Sequence, residues 1–465
     1  MMGTAENTDR KEVRKQVPER VSRTGRITRN FFLHIHAPRV HTHSMKPAYT
    51  FGLGIILGFL FLVMVLTGVI LLIYYNPSVE HAYRSVKDIV YVVPGGRIIR
   101  NMHRWAAQGM VIVVFLHLVR VFFTGSYLGN RSLNWVIGVV LLMVTLLSNF
   151  SGYLLPWDQL AYWAVTIGSN IAASARELTD LLGVTAAFDP GGFMKKLLIG
   201  GETVGQPALS RFFALHVIFL PLTILVLMGV HFWRVRKDGG LSRPAEYAGD
   251  RVGEQRWYAW PVLMWTELAL LVGTVAVILL IALLADAPLL EQANPARPEN
   301  PAKSPWYFLG IQELVSYSAF AGGLLVPVLY LVFLFSIPYV DREDRYVGTW
   351  FSGKRGLRVT AIAAVGTLLL VISQLFVMIR HGWLRDWFPG ISQGFVMLLN
   401  PATISTMLFI VAAEAVRRRT SSTRMAALTL FTCTFTALII FTAVGIWFRG
   451  PDWEFYWSPA QWPVQ

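Results

Sequence analysis

Long apolar runs, broken by short polar ones, set the pattern of this chain. From Pro47 to Val79 there is no charged residue. Crossing a hydrocarbon layer of ~30 Å takes ~20 helical residues at ~1.5 Å each, so this run predicts a spanning helix at about 51–75. Eight further runs follow, at about 103–124, 134–155, 212–234, 260–285, 316–339, 358–379, 396–416 and 425–448. Pro, Gly, Asn and charged clusters fill the gaps. The pattern predicts an all-α, polytopic transmembrane bundle of about nine spans.

Composition fits that class. Of the 465 residues, 54% are hydrophobic and 15% charged, against roughly a quarter charged in soluble domains. Mean hydropathy is +0.50. The single cysteine, Cys433, lies in a late apolar run. It excludes intrachain disulfides, thiolate clusters and a c-type haem, whose attachment needs a local cysteine motif.

The net charge of +14 suggests nucleic acid until its placement is considered. Segments 1–50, 120–134, 234–257, 340–357 and 417–424 hold 26 Lys and Arg in 115 residues. The alternate segments, 76–102, 156–211, 286–317, 381–396 and 449–465, hold 12 in 148. Such asymmetry is an orientation signal. It places the N-terminus on the cytoplasmic side and the C-terminus opposite, with the basic face toward anionic membrane lipid and no nucleic-acid partner. Residues 1–46 form a basic arm without the features of a cleavable signal. Its His34, His36, His41 and His43 suit either a metal or a surface helix.

Two apolar segments each carry two histidines. His103 and His117 are 14 residues apart, and His216 and His231 are 15 apart. Each pair is ~21–22 Å apart along a helix and within ~40–60° of one face. One span separates the two segments, so they run parallel. Same-depth partners are then His103 with His216 and His117 with His231. Imidazole inside a membrane is costly without a partner and marks a functional site by default. Two bis-histidine haems stacked across a bilayer need this layout. A bare metal ion fits poorly, because the ligands are split between two depths. Hydrogen-bonded packing residues and the proton relay of a non-redox transporter are the competing explanations.

Gly54 and Gly68 are 14 apart in the first span, as are Gly138 and Gly152 in the third. Glycine in membrane helices serves helix contact. Here the spacing repeats that of His103 and His117, which favours clearance for a flat macrocycle. Arg100, Arg104, Arg120 and Arg211 flank the histidine segments. They suit both haem propionates and snorkelling to lipid headgroups.

Three runs carry a family resemblance: RNMHRWAAQGMVIVVFLHLVRVF, NWVIGVVLLMVTLLSNFSGYLLPWDQLAYWAV and LSRFFALHVIFLPLTILVLMGVHFWRVRKDG. They resemble the cytochrome b/b6 family, the membrane core of quinol–cytochrome c and quinol–plastocyanin oxidoreductases. The 14- and 15-residue gaps are the b6-like arrangement. EQANPARPENPAKSPWYFLGIQELV and GGLLVPVLYLVFLFSIPYVDR look like the family's C-terminal part. The resemblance covers about residues 47–380. It implies a dihaem domain at 47–240 with a four-helix core, a subunit IV-like domain at 241–380, and additional helices at 381–465.

It further implies two non-covalent b-type haems on the four histidines and a quinol site on the positive side. The positions matching that site are Pro156, Trp157, Asp158, Pro305, Trp306 and Tyr307. The implied partners are a Rieske-type iron–sulfur protein, a c-type cytochrome, quinone and a second copy of the complex. The implied location is an energy-transducing membrane, such as the bacterial inner membrane. A dihaem anchor of another quinone-linked enzyme is the alternative.

Two departures stand out. The family's Pro-Glu-Trp-Tyr is here Ser304-Pro305-Trp306-Tyr307, without the carboxylate that takes a quinol proton. Glu313, the nearest carboxylate downstream, is expected either to replace it or to be a helix-end charge facing water. The cysteine that tethers an additional haem in b6-type members is Gly52 here, so no covalent haem is expected.

Overall fold

The computed structural model describes residues 39–244 and 256–463. His34, His36 and most of the basic arm lie outside them. Among the described residues, eight helices are long and apolar enough to cross a membrane, and nine spans result if one bent pair counts as a span. This agrees with the pattern of apolar runs.

The helices used below are α1 (Leu53–Tyr74), α2 (Ala82–Tyr91), α3 (Gly96–Phe123), α4 (Ser132–Tyr153), α5 (Gln159–Ala173), α6 (Pro190–Ile199) and α7 (Gln206–Lys237). Then come α8 (Met264–Leu284), α9 (Trp306–Tyr317), α10 (Val326–Val340), α11 (Gly353–His381), α12 (Gln393–Leu399), α13 (Pro401–Thr420) and α14 (Thr423–Trp447). A short antiparallel ribbon joins Arg39–His41 to Arg256–Tyr258. Exposed apolar side chains such as Leu66, Ile73, Leu284 and Val365 face outward on the spans, as a lipid surface requires.

Helix α3 begins seven residues before its apolar run, and polar side chains hold that extra length. Asn101 donates to Ala282 O and accepts from Ala287 N, at 2.9 Å each, while Arg97 pairs with Asp286 at 2.7 Å. The eighth apolar run is not one helix. It bends 45° between α12 and α13. Pro401 cannot donate to the helix before it. Asn400 satisfies the break by donating to Met397 O and accepting from Thr403 N.

Helices α1, α3, α4 and α7 form a bundle whose centre is apolar: Leu60, Phe61, Ala106, Met110, Val144 and Ile224 pack there. A second core joins α9, α10, α11, α13 and α14 through Leu314, Val371, Phe409 and Phe441. The additional C-terminal helices thus share a core with the segment before them.

Two buried ion pairs mark the ends of α14. At its start, Arg424 is fully buried and lies 3.4 Å from Asp341. It also donates to Phe122 O and Ser352 Oγ at 2.8 Å each, and to Tyr127 Oη. At its end, Arg449 meets Glu313 at 2.6 Å. A buried guanidinium is tolerated only when its donors are met. Replacing Arg424 by Met is therefore expected to destabilise the chain by about 3–5 kcal/mol, because Asp341 is left uncompensated. Arg424→Met with Asp341→Leu should recover most of that loss. Unfolding in mixed micelles checks both, and a neutral Arg424→Met would contradict the account.

Candidate functional site

The structure brings His103 and His216 together across α3 and α7, and seats His117 and His231 on facing glycines of α1 and α4. His103 and His216 have ring centroids 6.1 Å apart with planes at 76°. With metal–imidazole bonds of about 2 Å, two rings on opposite sides of one metal atom have centroids about 6 Å apart. The outward nitrogens are already engaged. His216 Nδ1 lies 2.9 Å from Ser148 O, and a carbonyl only accepts, so Nδ1 carries the proton. His103 Nδ1 lies 3.0 Å from Thr67 Oγ1, whose own proton goes to Val63 O at 2.7 Å. Each ring therefore keeps Nε2 as a free lone pair, the state of a metal-binding imidazole.

The unequal gaps in sequence have a local cause. Leu215–Phe219 is a π-turn inside α7, beginning beside His216. A π-turn takes one residue more than an α-turn. Fifteen residues in α7 thus cover the register that fourteen cover in α3, and His231 stays at the level of His117.

Each of the four glycines faces one histidine. A Cβ on Gly68 would lie 3.2 Å from His103 Cε1, one on Gly54 3.4 Å from His117 Cε1, and one on Gly138 3.5 Å from His231 Cε1. A Cβ on Gly152 would overlap the His216 ring. The glycines seat the imidazoles themselves, and with them any group those imidazoles hold.

A cavity of about 320 Å³ opens beside the first pair. It runs from His103 and His216, past Gly68 and Gly152, to Arg104 and Asp158. Among the described residues no three His, Cys, Asp or Glu side chains group as ligands for an ion. Two imidazoles and a cavity between glycines fit a haem, whose ring supplies the other four ligands.

The arginines divide. Arg100 and Arg104 line the cavity; Arg104 also sits 4.8 Å from the Tyr153 ring centroid. Arg120 is buried, donates from Nε to Tyr49 O at 3.0 Å, and keeps Nη2 without a partner. An unmet buried donor on a cation fits an anionic group such as a haem propionate. Arg211 is placed differently. It does not line the cavity, and its Nη1 donates to Lys196 O and Leu197 O, at 2.9 and 2.6 Å, where it caps α6.

The segment 156–158 is tied to the loop that leads to α9. Trp157 is buried, and its carbonyl accepts from Ala293 N at 3.1 Å. Pro156 lines the cavity. Asp158 caps α5 by accepting from Ala161 N at 2.9 Å, and its other oxygen accepts from Leu290 N at 3.1 Å. Burial pushes the Asp158 carboxyl above the usual carboxylate range, outweighing those two bonds and the nearby Arg100 and Arg104. Pro305 precedes α9, and Trp306 Nε1 donates to Gln108 of α3 at 2.6 Å. Tyr307 Oη, Ser304 Oγ and Trp163 Nε1 are buried without hydrogen-bond partners.

Glu313 departs from both expectations. It is fully buried, not at a watery helix end. Arg449 donates to it twice, at 2.6 and 2.9 Å, Tyr317 Oη once at 2.6 Å and Trp453 Nε1 once at 3.1 Å. Four donors fill its lone pairs, so it has no site left for a quinol proton. It does not line the cavity. The expectation that Glu313 replaces the missing base is corrected: its carboxylate holds an ion pair. Arg449 and Gln108 went unnoticed in sequence because they meet their partners 136 and 198 residues away.

The sequence profile described as cytochrome b/b6/petB matches residues 40–239. Cytochrome b6 from Prochlorococcus marinus (strain MIT 9211) is 42% identical over 179 residues, which is 38% of this chain and 77% of that protein. Cytochrome b6 from Prochlorococcus marinus (strain MIT 9301) gives the same figures, 42% over 179 residues. A chain of a hyperthermophilic respiratory Complex III has a similar fold, with a TM-score of 0.60 and 22% identity over 85% of this chain and 90% of that one.

His103→Ala or His216→Ala is expected to remove one of two b-type absorption signals, and His117→Ala or His231→Ala the other. Retention of both signals at full occupancy in any of these variants would break the pairing. Gly68→Leu and Gly152→Leu should disturb the first signal more than the second, since both glycines face that pair; equal loss would point to general misfolding.

Proposed function

This chain belongs to the cytochrome b/b6 family, and on that premise we propose that it is the dihaem cytochrome b subunit of a quinol:cytochrome c oxidoreductase. The carrying observation is the matched set of two histidine pairs and four facing glycines at two levels of one bundle. His103 with His216 and His117 with His231 would hold the two b-type haems, with Arg104 and Arg120 toward their propionates. Haems so held would supply a one-electron path between the two sides of the membrane. Quinol is oxidised on the positive side and quinone reduced on the negative side, coupled to proton translocation.

The chain itself positions quinol and moves its protons. Trp157, Trp306 and the two prolines Pro156 and Pro305 make the walls of the quinol site, with Tyr307 Oη and Ser304 Oγ as its unspent polar atoms. Asp158 takes the place of the absent glutamate. It is buried beside Trp157, and its two oxygens each accept only one backbone N–H. A base must be deprotonated to act. Since burial raises the Asp158 pKa, quinol oxidation should rise with pH over a range above that of an ordinary carboxylate.

The other redox carriers sit on separate subunits: a Rieske-type iron–sulfur protein and a c-type cytochrome, in a dimeric complex of a bacterial inner membrane. The N-terminus lies on the cytoplasmic side, where the positive charge is concentrated.

Asp158→Asn preserves the cap, because the amide oxygen still accepts from Ala161 N, gives up the bond from Leu290 N and cannot titrate. Quinol:cytochrome c turnover is expected to fall about 10²-fold and to lose its rise with pH, with both b signals kept. Wild-type turnover at every pH in this variant would exclude Asp158 as the base. Co-purification of the wild-type chain with an iron–sulfur protein separates this function from that of a simple dihaem anchor.

A further inference from the structure

The additional C-terminal helices end beside the segment that carries Ser304-Pro305-Trp306-Tyr307. Four separate contacts join the two. Asn300 Nδ2 donates to Asp452 Oδ1 at 2.9 Å, and Asp452 N donates back to Asn300 Oδ1 at 2.6 Å. Lys303 Nζ donates to Ile446 O at 3.0 Å, at the end of α14. Glu313 of α9 is held by Arg449 and Trp453 from the tail after α14. The two helices also approach closely. A Cβ on Gly310 of α9 would lie 2.7 Å from Thr442 Oγ1, and one on Gly445 of α14 would lie 3.0 Å from Leu309 Cβ.

The tail is held in an unfavourable shape to do this. Asp452 and Trp453 have φ of 55° and 60°, a left-handed conformation that non-glycine residues seldom adopt. Arg449 Nη1 donates to Trp453 O at 2.8 Å and fixes the turn that brings the Trp453 ring onto Glu313. On the other side, α9 closes its own loop. Ser304 N donates to Gln312 Oε1 and Gln312 Nε2 to Ala302 O, at 2.8 Å each. The loop and α9 therefore move as one body, and Glu313 lies on it six residues beyond Tyr307.

We propose that Arg449, acting through Glu313, is a positioning residue for quinol oxidation, and that the C-terminal extension sets where Trp306 and Tyr307 stand in the quinol site. Arg449 touches no substrate. Its planar guanidinium grips Glu313 by two parallel bonds, which fixes direction as well as distance. A shift of about 1 Å at such a wall is enough to cost an enzyme about 10²-fold. This inference rests on the quinol-oxidising function proposed above.

The test uses the complete complex purified through this chain, with a soluble short-chain quinol as substrate and cytochrome c as acceptor. Arg449→Gln is expected to raise KM for quinol about tenfold while both b signals remain. Arg449→Lys should recover only part of that, since an ammonium cannot form the two-bond grip. Asp452→Ala removes an exposed tie and should raise KM by a smaller factor, about two- to threefold. It also decides the matter if Arg449→Gln fails to assemble. A clasp with only a structural role would lower the melting temperature and leave KM at its wild-type value. Wild-type KM in an assembled Arg449→Gln, or in Asp452→Ala where Arg449→Gln does not assemble, would overturn the proposal. A wild-type complex that oxidises no quinol would overturn the underlying function instead.

Discussion

The fit between glycine and imidazole is the constraint on which the N-terminal half depends. A histidine in a membrane bundle needs a partner for each nitrogen, because no water is at hand to supply one. Here Nδ1 is met from a neighbouring helix, by Thr67 for His103 and by Ser148 for His216. The ring can lie close enough for those bonds only because Gly68 and Gly152 leave room for it. Thr67 and Gly68 are adjacent, and Ser148 and Gly152 are one turn apart. Each helix thus supplies both the seat and the hydrogen bond. The π-turn in α7 then keeps the second level in register, and the apolar layer of Leu60, Met110, Val144 and Ile224 fills the space between levels.

The C-terminal half is organised by charge inside apolar packing. Carboxylates buried by folding are paired: Asp341 with Arg424 and Glu313 with Arg449. Such pairs add little net stability compared with well-packed apolar side chains, but breaking one is costly. Their effect is to specify. Arg424 fits where Tyr127, Ser352 and the carbonyl of Phe122 converge, and Arg449 where Glu313, Trp453 and Tyr317 converge. Helix α14 is consequently fixed at both ends, against the four-histidine half at one and against α9 at the other.

The proposed quinol site has Pro305 where the family has a glutamate. Pro305 removes a carboxylate and a backbone donor together. Two buried carboxylates remain nearby, and their surroundings separate them. Glu313 is saturated by four donors, whereas Asp158 accepts only two backbone bonds. A saturated carboxylate is a structural anion, whereas one with fewer donors keeps lone pairs for a proton.

Much of this was legible in the chain itself. Apolar length set the spans, because hydrocarbon thickness fixes how many residues a helix needs. The alternation of Lys and Arg along the chain carried the orientation signal. The spacing of four histidines and four glycines set two levels, because the helical period converts sequence spacing into depth, with the π-turn of α7 taking up its one extra residue. What the chain order left open was every contact that depends on which helix lies beside which. Glu313 resembled a free base until Arg449, 136 residues away, proved to face it. Arg211 resembled a partner for an anion until its Nη1 proved to cap α6, away from the cavity. A charged side chain has the same sequence signature whether it is spent or available, and only packing in three dimensions decides which donors reach it.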